Sequence, residues 1–288
     1  MKEFRDKVAV ITGAASGIGR GLAQHCAEEG MNIVLADVEE KALALAEKEI
    51  KAMGAPTLAV PTDVSKAGDV EALTRKTLNE FGAVHLLCNN AGVSAGTTVW
   101  ESTLADWQWV MGVNLWGVIH GIHYFVPIMI EQATECYIVN TASAAGLFVT
   151  ANNCVYTVTK HGVVILSEAL YCELKQGGYN IGVSVLCPGY INTNILESER
   201  NRPVELQNSR DEGHEITDPG LKAMMQSYKK IIENGMSPEQ NADIVFNAIR
   251  EEKFYIMANA EPFIPLMKAR MEDILEERNP TNVAIDIR

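Results

Sequence analysis

A chain of 288 residues, 47% hydrophobic and 21% charged, has an ordinary globular composition and room for one large α/β domain or two small ones. Its formal net charge of −13 argues against a sequence-independent grip on nucleic acid, which needs clustered Lys and Arg. The six cysteines, Cys26, Cys88, Cys136, Cys154, Cys172 and Cys187, form no CxxC pair and no metal-ligand spacing, so they read as buried free thiols of a cytoplasmic protein with no metal site.

The N-terminal residues MKEFRDK are charged and lead directly into VAVIT (8–12), which reads as a strand and not as a signal peptide. Further short apolar runs follow at NIVLA (32–36), TLAVP (57–61), HLLCN (85–89), YIVNTAS (137–143), IGVSVLC (181–187) and FYIMA (254–258). Segments of helical period lie between them, among them 39–53, 66–80 with Ser65 as its cap, and 155–175. Continuous apolar strands alternating with helices predict an α/β fold: a single Rossmann-like, doubly wound parallel sheet of about seven strands with helices on both faces. The apolar stretch 117–130 is broken by His120 and His123 and is too short for a bilayer, so no membrane partner is expected. From 191 to about 235 the pattern becomes polar and irregular, with Pro203 and Pro219; such an insertion is commonly functional. One domain is expected over 1–275, with a polar tail over 276–288.

Directly after the first strand comes TGAASGIGRG (12–21), with glycines at 13, 17 and 19 spaced GxxxGxG. A tight strand-to-helix turn that lets backbone approach a pyrophosphate, with a helix N-terminus aimed at anionic oxygens, calls for this composition in this place. The second strand ends in Asp37, 18 residues after Gly19, and no Lys or Arg stands at 14, 15 or 38. A carboxylate there accepts from ribose hydroxyls and repels a 2′-phosphate, which favours NAD over NADP; the plainer reading is a cap for the helix near Glu39.

Two Tyr–Lys pairs share an i, i+4 spacing, Tyr156–Lys160 and Tyr171–Lys175. Ser143, 13 residues before Tyr156, closes a strand, so strand end and helix start bring that hydroxyl and the phenol to one edge of the sheet. Tyr171 lies 15 residues further on, roughly 22 Å down the helix, and its pair reads as surface or packing. A phenol must fall from a pKa near 10 towards 7 to act as a base at neutral pH. A cation about 4 Å away at an effective dielectric of about 20 favours phenolate by about 4 kcal/mol. Lys160 together with a positively charged nicotinamide ring could supply this, whereas Lys160 alone could not.

TGAASGIG (12–19), NNAG (89–92), Asn114, Ser143, YTVTK (156–160) and PGYINT (188–193) together make residues 5–195 resemble the short-chain dehydrogenase/reductase family. The resemblance implies Tyr156 as general acid/base, Ser143 on the substrate oxygen, and Lys160 on the nicotinamide ribose, lowering the pKa of Tyr156. It implies that Asn114 holds a water in a proton relay from Lys160. It also implies cofactor contacts at Gly13, Ser16, Gly17, Ile18, Gly19, Asp37, Asp63, Val64, Asn90, Ala91, Gly92, Tyr156, Lys160, Pro188, Gly189, Ile191 and Thr193. Thr157, Thr159 and Cys136 depart mildly from the family pattern.

The expected activity is therefore NAD-dependent, reversible oxidation of a small-molecule secondary alcohol. Rival readings are an NADP-linked reductase of carrier-bound acyl chains and a non-catalytic NAD-binding regulator. Ile195, Leu196, Leu221, Met224, Met225, Phe263 and Met267 could line an apolar pocket for a bulky alicyclic or steroid-like alcohol. Trp100, Trp107, Trp109 and Trp116 read as core and subunit interface, and family habit implies a homo-oligomer, tetramer or dimer.

Overall fold

The computed structural model describes residues 1–149, 151–208 and 219–281, with backbone alone at 219–225. The chain runs β1 (Val8–Thr12), α1 (Gly17–Glu28), β2 (Asn32–Asp37), α2 (Glu40–Ala52), β3 (Thr57–Pro61), α3 (Ala67–Phe81), β4 (Leu86–Asn89), α4 (Leu104–Met111) and α5 (Gly117–Gln132). It continues through β5 (Cys136–Thr141), α6 (Cys154–Gln176), β6 (Ile181–Leu186), α7 (Pro219–Glu233), α8 (Pro238–Arg250), β7 (Tyr255–Ile256) and α9 (Ile264–Leu275). All seven strands form one parallel sheet in the order β3-β2-β1-β4-β5-β6-β7. The order reverses between β1 and β4, the place where a doubly wound sheet opens a ligand crevice beyond its carboxyl ends.

Strand residues alternate between two cores. Ala9, Ile11, Ile33 and Leu35 pack with Leu22, Ala23, Leu43, Ile50 and Phe246 of α1, α2 and α8. Val8, Val10 and Val34 pack on the other face with Val70, Leu73, Phe125, Met129 and Leu170 of α3, α5 and α6. Burial on both faces explains why the strands read as continuous apolar runs.

Some expectations are corrected. Ser65 does not cap α3: the cap position is Lys66, which makes no side-chain cap bond, while the Ser65 hydroxyl donates to Asp63 Oδ1 at 2.6 Å. His85 lies outside β4; its Nδ1 accepts from the Val8 amide at 3.0 Å. The apolar stretch 117–130 is not isolated, because α4, a π turn (Gly112–Trp116) and α5 form one 29-residue helical run, Leu104–Gln132. By length and composition that run could cross a bilayer, but Val118, Phe125, Val126 and Met129 are spent inside the fold. Cys172 is exposed and Cys154 half-buried, against four buried thiols.

Candidate functional site

The crevice is built from the carboxyl ends of β1 to β6. At the end of β1, Gly13 and Gly17 take φ of +65° and +52°, which side chains with a Cβ adopt only under strain. A Cβ on Gly19 would collide with the Gly13 carbonyl, and one on Gly17 would lie 2.9 Å from Thr193 Cγ2. The turn therefore fits a backbone cradle for a dinucleotide at the N-terminus of α1, where Ser16 leaves the helix amides uncapped by its side chain. Ile18 follows within the first turn of that helix.

Asp37 closes β2. Its Oδ2 accepts from the Ala15 amide at 3.0 Å and its Oδ1 from the Glu39 amide at 3.0 Å. The carboxylate thus braces the glycine turn and also organises the entry to α2, whose cap position is Glu39. Asp63 and Val64, after β3, bond elsewhere: Asp63 Oδ1 accepts from Ser65, and the Val64 carbonyl lies 2.9 Å from His120 Nδ1.

After β4, the Asn90 and Ala91 amides donate to Thr12 Oγ1 at 2.9 and 3.1 Å, and Asn90 Nδ2 donates to the Thr12 carbonyl at 3.0 Å. Thr141 Oγ1 donates to Asn90 Oδ1 at 3.2 Å, tying the ends of β1, β4 and β5 together. Gly92 comes next; a Cβ there would lie 3.5 Å from Lys160 Nζ and 3.6 Å from Asn114 Oδ1, so this glycine borders the catalytic candidates. Pro188 accepts from the Ala144 amide at 2.8 Å, Gly189 donates to the Ala258 carbonyl at 2.8 Å, and buried Ile191 bridges to Met236.

The four catalytic candidates converge. Ser143 caps a 3-10 turn (Ala144–Gly146) and accepts from the Ala145 amide at 3.2 Å. Gly146 lets that turn lie against α6, since a Cβ would meet the Lys160 carbonyl at 2.7 Å. Tyr156 and Lys160 stand on the first turns of α6, with Nζ 5.5 Å from the phenol ring centroid. Lys160 is buried and donates to the Thr141 carbonyl at 2.9 Å. Burial lowers its pKa to about 8, with the neighbouring Cys187 opposing the fall. Burial raises Tyr156 above the usual phenol value, and the Ser143 hydroxyl, hydrogen-bonded to the phenol, pulls the other way. In the protein alone the phenol is thus pushed up, and Lys160 by itself does not bring it down.

Asn114 is fully buried inside the π turn. Its side chain accepts from the Val93 amide at 2.8 Å and donates to the Val93 carbonyl at 2.9 Å and to Thr159 Oγ1 at 3.1 Å. Thr159 in turn donates to the Tyr156 carbonyl at 2.7 Å. Asn114 therefore clamps the loop after β4 to α6, and the π turn, closed by a bond from Gly117 to the Gly112 carbonyl, opens the helix at the site. The second pair behaves as packing: Tyr171 rests on Phe254 at 5.1 Å, with Lys175 Nζ 3.4 Å from its hydroxyl.

Several contacts at this site had no mark in the sequence. Thr12 holds Asn90 and Ala91, Thr141 holds Asn90, and Thr159 accepts from Asn114, all across 45 residues or more. Glu39 Oε1 accepts from Asn201 Nδ2 at 2.9 Å and pairs with Arg200 at 2.9 Å, so the segment after β6 is fastened beside Asp37. Arg202 pairs with Asp106 and packs 4.6 Å from the Trp109 ring. Of the expected pocket residues, Phe263 and Met267 are buried near Ala144, while Leu196 is exposed. The side chains of Leu221, Met224 and Met225 lie outside the described residues, as do 209–218 and the tail from 282.

The short chain dehydrogenase family model matches residues 7–203. The chain is 35% identical over 280 residues to a CLA biosynthesis dehydrogenase/reductase of Lactiplantibacillus plantarum, covering 97% of each. It is 36% identical over 206 residues to a cyclohexanol dehydrogenase of an Acinetobacter strain, covering 71% of this chain and 81% of that one. A short chain dehydrogenase/reductase of Burkholderia phymatum, crystallised in complex with NAD, superposes with a TM-score of 0.92 at 44% identity and 99% coverage of both chains. The chain belongs to the short-chain dehydrogenase/reductase family. It is an oxidoreductase acting on CH–OH groups.

Proposed function

We propose that the protein oxidises a secondary alcohol reversibly to its ketone with NAD, using Tyr156 as the general acid/base. The observation that carries this is the convergence of Ser143, Tyr156 and Lys160 at the crevice mouth beside the glycine turn. Bound NAD supplies the acceptor for the hydrogen leaving the carbinol carbon and the positive charge that favours phenolate. Tyr156 takes the hydroxyl proton, Ser143 holds the same oxygen, and Lys160 engages the ribose while adding its charge. The clamp at Asn114 keeps the helix open, so a water on the π turn can pass the proton onward from Lys160. The Asp37 carboxylate, the missing cation at 14, 15 and 38, and the NAD complex of the Burkholderia relative support NAD over NADP.

The Phe263 side of the pocket and the cyclohexanol relative support an apolar, ring-bearing alcohol. Trp116, Val158 and Ile165, exposed on the outer faces of the π turn and α6, support a homo-oligomer, and we place it in the cytoplasm, free of membrane. Titration with NAD and NADP, then NADH formation across a panel of secondary alcohols, tests the reading. NAD binding with turnover is the expected result; NAD binding with no turnover of any alcohol would favour a regulatory protein instead.

A further inference from the structure

The segment that follows β6 turns back across the crevice and ends against the strand end that carries Asp37. It begins at Thr193, whose Cγ2 would lie 2.9 Å from a Cβ on Gly17. Ser198 then accepts from the Ser94 amide at 3.1 Å, and Arg200 and Asn201 reach Glu39, two residues beyond Asp37. Gly17 and Ser94 follow the carboxyl ends of β1 and β4, so Arg200 approaches Glu39 from the crevice side. Glu39 is itself tied to Asp37, because its amide donates to Asp37 Oδ1 at 3.0 Å.

Every nitrogen of the Arg200 guanidinium is engaged. Nε and Nη2 lie 3.1 and 2.9 Å from Glu39 Oε1. Nη1 donates to the Asn194 carbonyl at 3.1 Å and the Glu197 carbonyl at 2.8 Å. Asn201 Nδ2 donates to the same Glu39 oxygen at 2.9 Å. Burial works to raise Glu39, yet Asn201 and Arg200 hold it below the ordinary carboxylate value, so Glu39 is ionised and neutralises the arginine. Capping does not explain this glutamate: it stands at the cap position of α2 but its side chain makes no cap bond. Stability does not explain it either, since Glu39 and Arg200 are 30% and 34% exposed and an ion pair that open to water contributes little.

A guanidinium near the acidic end of the second strand is the group that accommodates the 2′-phosphate of NADP, gripping it with a planar fork of donors. The local sequence puts no cation at 14, 15 or 38. The fold brings one from 161 residues away, and Glu39 takes it up. We propose that Glu39 is a positioning residue for cofactor choice: it occupies the Arg200 guanidinium that would otherwise accept a 2′-phosphate, and so works with Asp37 to keep NADP out. This deepens the NAD reading and rests on it.

The test titrates NAD and NADP by calorimetry against the parent, Glu39→Ala, and the double variant Glu39→Ala, Arg200→Met. Glu39→Ala is expected to lower the NADP dissociation constant about tenfold, while that of NAD changes by less than about threefold. NAD binding on the same samples reports that the fold and the glycine turn are intact. The double variant is expected to lose the gain and return NADP to within about threefold of the parent. An unchanged NADP affinity in Glu39→Ala, a gain that survives in the double variant, or an equal change for both dinucleotides would overturn the inference while leaving NAD selection by Asp37 intact. A parent that binds NADP more tightly than NAD brings down the NAD reading first, and the inference with it.

Discussion

Replacing Arg202 by Met tests how the segment after β6 is held over the crevice. The Arg202 and Asp106 side chains are 2% and 6% exposed and form a direct ion pair. Glu199 lies 3.0 Å from the Arg202 Nε, and the Trp109 ring 4.6 Å from its guanidinium. Removing one member of a buried pair costs about 3–5 kcal/mol because the other charge stays desolvated. Here Asp106 keeps two donors, the Thr103 amide at 2.9 Å and Asn208 Nδ2 at 3.1 Å, which places the cost near the lower end, at about 3 kcal/mol. For a chain of this size that lowers Tm by about 6–12 °C, followed by circular dichroism at pH 7. Burial works to raise Asp106, yet Arg202, Thr103 and Asn208 together hold it below the ordinary carboxylate value. That stabilisation is complete above the ordinary aspartate pKa and is lost as pH falls through the lower folded value. The deficit of Arg202→Met should therefore be flat from about pH 5 to 8 and shrink below about pH 4. The double variant Arg202→Met, Asp106→Asn should recover about 1–2 kcal/mol, since no charge is then stranded. A single variant within about 1 kcal/mol of the parent would refute the reasoning.

Lys160→Met should separate catalysis from stability. At 5.5 Å from the phenol ring and an effective dielectric of about 20, the cation is worth about 3 kcal/mol to the phenolate. Alcohol oxidation needs phenolate, so kcat/KM rises with pH, and the variant's break should move up by about 2 pH units; an unmoved break would contradict the role. The folded pKa of Lys160, about 8, lies below the ordinary lysine value, so its buried charge costs stability below pH 8 and the cost fades as pH rises towards that ordinary value. The variant should accordingly unfold no earlier than the parent at pH 7. Asp37→Ala should weaken NAD about tenfold or more and raise the ratio of NADP to NAD affinity. Because Asp37 also braces the Ala15 and Glu39 amides, some thermal stability should go with it; an unchanged affinity ratio would remove Asp37 as the selector.

The sheet was legible because strands covered on both faces must be apolar throughout, as Val8, Ala9, Val10 and Ile11 are. The glycine turn and the Tyr156–Lys160 pair were legible because their chemistry sets short spacings. What stayed hidden depends on partners distant in the chain. Arg202 meets Asp106 across 96 residues and Arg200 meets Glu39 across 161, with no local pattern to announce either. Ser65 looked like a cap because its type suits one, but Asp63 two residues earlier captures its hydroxyl. The apolar run at 117–130 hid its continuity with α4 because the π turn shifts the helical phase between them.

Tyr156→Phe removes one oxygen and leaves the ring, the glycine turn and the Lys160 contact with Thr141 in place. Steady-state NADH formation from the best secondary alcohol, with NAD binding titrated on the same sample, measures what that oxygen does. Proton transfer by Tyr156 requires kcat to fall at least about a hundredfold while the NAD dissociation constant stays within about twofold. Near-parental turnover in this variant, with NAD bound as tightly as before, would contradict it.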